Sequence, residues 1–132
     1  MAKTWDLRER TTEFAAAVYR FCRTLDQSSE VSDITRQLRR SVSSVAANTR
    51  ALRRSQSDEV FVAKSGVIIE EADESAFWLE FLIRLQVVEK TEVAALLGEA
   101  NELVAIFTAS RKTVRARLQR EKTKAEDGLP AL

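Results

Sequence analysis

The chain has 132 residues, 45% of them hydrophobic and 31% charged, with three Gly, one Pro, one Cys, no His and a net charge of +1 at neutral pH. That length supports one domain with its own core and no help from disulfides or metal, and the lack of His excludes Ser-His-Asp chemistry, His-ligated zinc and the Glu-x-x-His pattern of di-iron bundles. So few Gly and Pro leave too few turn signals for an all-β or α/β chain, and the expected class is all-α. The start lacks the apolar core of a signal peptide, and the longest apolar run is far short of the roughly 20 residues of a membrane span. A cytoplasmic protein with no membrane partner is therefore expected.

The first helix is expected over about residues 5–26, with Asp6 and Glu9 at capping-box spacing and a seam of Leu7, Phe14, Val18, Phe21 and Leu25. Cys22 lies beside that seam and reads as a small core hydrophobe. After the loop DQSSE, Ser29 or Ser32 can cap a second helix over about 32–54. Its apolar stripe is Ile34, Leu38, Val42, Val45, Thr49 and Leu52, and its opposite stripe is arginine: Arg36, Arg39, Arg40, Arg50 and Arg54, with Arg53 at the border.

The third helix, about 57–86, is the element around which the rest is organised. Ser57 is its expected N-cap, and Asp58 and Glu59 stand in the first turn, where the helix dipole favours carboxylates. Phe61, Ile68, Ala72, Leu79 and Leu82 recur at three and four residues, but Val60, Val67, Trp78 and Leu85 form a second apolar flank, more than one bundle core can use. Phe77 and Phe81 sit among the carboxylates of the remaining face. Aromatics there call for a second contact, so Phe77, Trp78, Phe81, Glu70 and Glu74 are the expected interface with another copy of the chain.

Thr91 is the expected cap of a fourth helix over about 91–122, with a seam of Val93, Leu96, Ala100, Leu103, Phe107, Val114 and Leu118. Arg111, Lys112, Arg115, Arg117 and Arg120 crowd its C-terminal half, the end at which cations are favoured. Residues 123–132 have no period and are expected to form a flexible tail. Short loops between four long helices give an up-down-up-down bundle.

Charge is distributed in blocks. Residues 34–57 hold six Arg and no acid, 58–92 hold three basic and nine acidic groups, and 93–124 hold seven basic and three acidic. Two readings of the arginine stripe stay open. Arg36, Arg39, Arg40, Arg50, Arg53 and Arg54 are suited to the phosphates of RNA or DNA, and the helix has no aromatic interleaving with which to stack bases. Alternatively, the stripe meets the acidic face of the third helix, in the same chain or a neighbour, and serves assembly.

The runs RQLRRSVSSVAAN (Arg36 to Asn48), SDEVFVAKSGVIIEEADESAFWLEFL (Ser57 to Leu82) and EANELVAIFTASRKTVR (Glu99 to Arg115) resemble the bacterial four-helix-bundle proteins named after intervening sequences in large-subunit ribosomal RNA genes. The resemblance covers nearly the whole chain. It implies a left-handed bundle assembling as a ring, typically a homopentamer, and a relative of the accessory proteins of diversity-generating retroelements, which bind nucleic acid and a reverse transcriptase. It implies no enzyme activity.

Other constellations have plain structural readings. Glu70, Glu71, Asp73 and Glu74 spread over several directions of one helix, which favours a solvated or ion-paired face over a metal site. The glycines Gly66, Gly98 and Gly128 form no phosphate loop, and Gly66 reads as a point of close helix packing. Asn48 borders the apolar face and reads as structural. No catalytic residue, metal or cofactor is expected.

Overall fold

A computed structural model describes residues 6–128. It contains four helices, α1 (Leu7–Arg23), α2 (Ser29–Leu52), α3 (Asp58–Arg84) and α4 (Lys90–Asp127), and no strand among the described residues. The all-α four-helix bundle expected from the periodicity is the fold. The expected first residue of α1, residue 5, and residues 129–132 of the expected tail lie outside the described residues.

The helix starts differ from expectation where several polar residues compete. The cap of α2 is Ser28, whose side chain accepts from the Val31 backbone N–H at 3.3 Å, so α2 begins three residues earlier than the spacing predicts. Ser57 caps α3 as expected, accepting from Val60 N at 3.2 Å. At α4 the cap is Glu89, not Thr91, and Glu92 Oε1 accepts from the Glu89 backbone N–H at 3.2 Å. The α3 to α4 turn closes with Gln86 at φ 62°, while Gln86 N donates to Ile83 O and Val87 N to Leu82 O. That is a Schellman ending, usually built on Gly, and the Gln in its place is why the sequence carries no glycine signal there.

The register is antiparallel throughout. Tyr19 Oη lies 2.9 Å from Ser43 Oγ; Ser75 Oγ donates to Ser41 Oγ at 3.0 Å; Arg117 Nη2 donates to Asp58 Oδ1 at 2.8 Å and Arg111 Nε to Val62 O at 3.0 Å. In the α3 and α4 pairs, residue numbers rise on one helix as they fall on the other. The seams predicted from spacing form the centre: Phe14 and Val18 of α1, Leu38, Val42 and Val45 of α2, Ile68, Ala72, Leu79 and Leu82 of α3, and Val93, Ala100, Leu103 and Phe107 of α4 are buried. The fully buried Ser41–Ser75 bond belongs to an α2–α3 seam where small residues, with Ala72 and Ala76, bring the two helices close.

Each helix packs mainly on its sequence neighbours, and the α1–α4 side is the thin one. It is tied by Arg10, whose guanidinium reaches Glu99 at 2.7 Å and Glu102 at 2.9 Å. By length and composition α4 alone among the described helices could cross a membrane. Here Glu99 and Glu102 hold Arg10, and its apolar line Val93, Ala100, Leu103 and Phe107 is in the bundle core. Thr123 to Asp127, expected as tail, continue α4, since Lys, Ala and Glu are good helix formers and no Pro or Gly intervenes before Gly128.

Candidate functional site

The arginine stripe of α2 is divided by the tertiary structure. Arg36 donates to Asp33 one turn back at 3.0 Å. Arg39 lies against Cys22, a thiol only 2% exposed, which burial pushes above its ordinary pKa while Arg39 acts in the opposite direction. Arg40 reaches across to α3, with Nη2 3.0 Å from Glu74 Oε2 and Nη1 3.8 Å from Glu71 Oε2. In the first half of the stripe, then, Arg40 does meet the acidic face of α3, in the same chain. Arg50, Arg53 and Arg54 are exposed and make no ion pair with a carboxylate among the described residues. Arg50 and Arg54 flank a shallow depression with Ala47, Ala51 and Lys64 of α3, where the small side chains allow close approach to the helix backbone.

The acidic face of α3 divides likewise. Glu71 and Glu74 turn toward α2, whereas Glu70 and Asp73 are exposed. Glu74 also accepts from Trp78 Nε1 at 3.3 Å. Phe77, Trp78 and Phe81 form one aromatic cluster: Phe77 stacks on Phe81 with ring centroids 5.6 Å apart, and Trp78 meets each ring edge-on. Phe77 is 50% exposed, but Phe81 and Trp78 are half-buried and pack against the core. Phe77 is therefore the ring offered to solvent, while Phe81 serves the subunit core as well. Val60 and Val67, on the neighbouring flank of α3, are exposed as well.

A second set of cations was visible in the sequence only as a favourable helix terminus. Arg117 pairs with Asp58, holding that carboxyl below its ordinary pKa by hydrogen bonding. Arg111 lies over Gly66 and donates to Val62 O; a Cβ on Gly66 would stand 3.3 Å from Arg111 Nε. Gly66 thus makes room for an arginine, which is the close packing expected of it in a particular form. Arg111, Lys112 and Arg115 line an open groove of about 490 Å³ beside Ile69. Asn48 bonds back to Ser44 in its own helix, through Ser44 O at 2.9 Å and Oγ at 3.0 Å, so its structural role is local. Among the described residues no group of three metal-ligating side chains gathers.

Over residues 3–109 the chain matches the family described as 23S rRNA-intervening sequence protein. No curated protein matches it. Among solved structures it is similar to a protein of unknown function from the S23 ribosomal protein family of Bacteroides thetaiotaomicron, at 24% identity and a TM-score of 0.76, over 84% of this chain and 99% of that one. That likeness carries the fold.

Proposed function

Because the chain belongs to the 23S rRNA-intervening sequence protein family, we propose that it is a non-enzymatic binding module, a self-associating four-helix bundle whose α2 C-terminal arginines hold nucleic-acid phosphates. The observation that carries this reading is the contrast within one stripe. Arg40 is engaged by Glu74 and Glu71, whereas Arg50, Arg53 and Arg54 project together from the end of α2 with no carboxylate partner among the described residues. Arginine is always charged and its fork suits phosphate. Contacts of this kind read backbone and shape, with little sequence discrimination. Self-association draws on the exposed Phe77 and the apolar line of Val60 and Val67, and a closed ring, five subunits first, is the arrangement to test.

The second reading keeps the oligomer and removes the nucleic acid: a structural oligomer or protein adaptor in which Arg50 and Arg54 meet carboxylates of a neighbouring subunit, as Arg40 does within one. The double variant Arg50→Glu, Arg54→Glu separates the two. On the first reading it keeps its subunit number and loses RNA or DNA binding, and the salt dependence of any remaining affinity becomes shallower by about 0.7 to 0.9 per lost contact. On the second it falls apart, because Glu then faces Glu. Light scattering and polyanion binding at two salt concentrations read both.

A further inference from the structure

The α2 to α3 turn and the C-terminal half of α4 are far apart in sequence, and the antiparallel register brings them to one end of the bundle. Asp58, the first residue of α3, stands four residues after Arg54 and pairs with Arg117. Further along α3, Val62 accepts from Arg111. Arg50, Arg54 and Lys64 border the depression between α2 and α3; Arg111, Lys112 and Arg115 border the groove between α3 and α4. Across residues 50–64 and 111–124 there are eleven Lys and Arg against three carboxylates, and one of those, Asp58, is taken by Arg117. Beyond Leu118, α4 leaves the bundle, and every residue from Gln119 to Gly128 is exposed. The helix there runs on for nine residues to Asp127, about 13 Å at 1.5 Å per residue.

We propose that this end of the bundle is a site for the phosphates of a nucleic-acid duplex, formed jointly by Arg50, Arg53 and Arg54 and by Lys112, Arg115 and Arg120 of the C-terminal half of α4. It rests on the nucleic-acid reading above and adds to it a second element and a ligand class. These three α4 residues lie outside residues 3–109, the part of the chain that the family match covers. Two observations select a duplex. Residues 50–64 and 111–124 contain a single aromatic, the half-buried Phe61, so this surface lacks the row of rings on which successive bases of a single strand would stack. The cations stand on rigid helices at fixed spacing, with Lys112 and Arg120 about 12 Å apart along α4; such an array suits the dense, regular charge of a duplex better than a flexible strand of lower charge density.

The test compares the full chain with Arg50→Glu, Arg54→Glu and with Lys112→Glu, Arg115→Glu, Arg120→Glu, using labelled 20-base-pair DNA and RNA duplexes and single strands of the same length. The charge-neutral Lys112→Gln, Arg115→Gln, Arg120→Gln variant guards against a folding defect, with helicity checked by circular dichroism. The wild type should bind duplex at least tenfold more tightly than single strand. Both Glu variants should lose at least tenfold in duplex affinity, and the Gln variant, three contacts short, should show a salt slope shallower by about 2.7 units on duplex DNA. If the α4 variants bind duplex like wild type while the α2 variant does not, the nucleic-acid reading stands and the joint site is wrong. Tighter binding to single strand overturns the duplex assignment. If no nucleic acid binds, or polyglutamate competes as well as duplex does, both this inference and the reading beneath it fail.

Discussion

Glu71 is the residue with the least settled surroundings. Its side chain is 17% exposed, its Oε2 is buried without a hydrogen-bond partner, and the nearest cation, Arg40, stands beyond hydrogen-bond range at 3.8 Å. Burial raises its pKa, Arg40 opposes that, and Glu74 and Glu70 add to the rise. A carboxyl raised by folding favours the protonated state of the folded protein. Its contribution is complete below the ordinary carboxylate range and is lost as pH rises through the raised value. Glu71→Gln keeps the size and removes the charge. It should therefore unfold at higher urea than wild type at pH 7, with the difference closing below about pH 4, where the wild-type carboxyl is protonated. A lower midpoint at pH 7 would show that attraction to Arg40 outweighs burial. Cys22 offers the contrasting case, since apolar burial beside Phe14 and Val18 needs no partner, and its core role was legible from its place next to the α1 seam.

At the scale of elements, the weak joint is α1 against α4. The shortest helix meets the longest there through little apolar contact, and Arg10, 13% exposed, bridges Glu99 and Glu102. Hydrogen bonding to these two carboxylates raises the guanidinium's already high pKa, so it is charged at every accessible pH. Arg10→Ala should cost about 2 kcal/mol, as expected for a charge-assisted pair at partial burial. Urea unfolding measures that loss. Native-state hydrogen exchange should show α1 amides opening more readily than those of α2 and α3, because α1 depends on α2 for its remaining packing. Equal protection of all helices in the variant would mean that the apolar contacts alone hold α1 in place.

For the whole molecule the open apolar surface is on α3, with Phe77 exposed on its outward face and Val60 and Val67 on the neighbouring flank. Phe81 is a poor probe of assembly, since it packs against the core and its loss would also destabilise the subunit. Phe77→Ser is the cleaner change. It should cost the subunit about 1 kcal/mol through the lost contacts with Phe81 and Trp78, leaving it folded, while lowering the mass seen by light scattering. A wild-type monomer at micromolar concentration would end the proposal of a ring, and an unchanged mass in the variant would remove Phe77 from the contact.

The helical class, the four elements and nearly all of the core were determined by the sequence itself, because apolar spacing at three and four residues is a local property that one helix can express alone. The Ser57 cap was legible for the same reason. Ser28 and Glu89 were not, because a polar cluster offers several caps and only the packed chain chooses among them. Arg36 finds Asp33 one turn back in its own helix, but whether Arg40 or Arg50 is paired or open is decided by register between helices, and nothing in a single helix encodes it. Arg40 and Arg50 occupy the same stripe, yet one faces Glu74 and the other does not. The placing of the α2 arginines and the basic half of α4 at one end of the bundle, on either side of α3, is likewise a product of tertiary structure: the antiparallel turn at residues 85–89 brings back beside Asp58 a segment about sixty residues further along the chain.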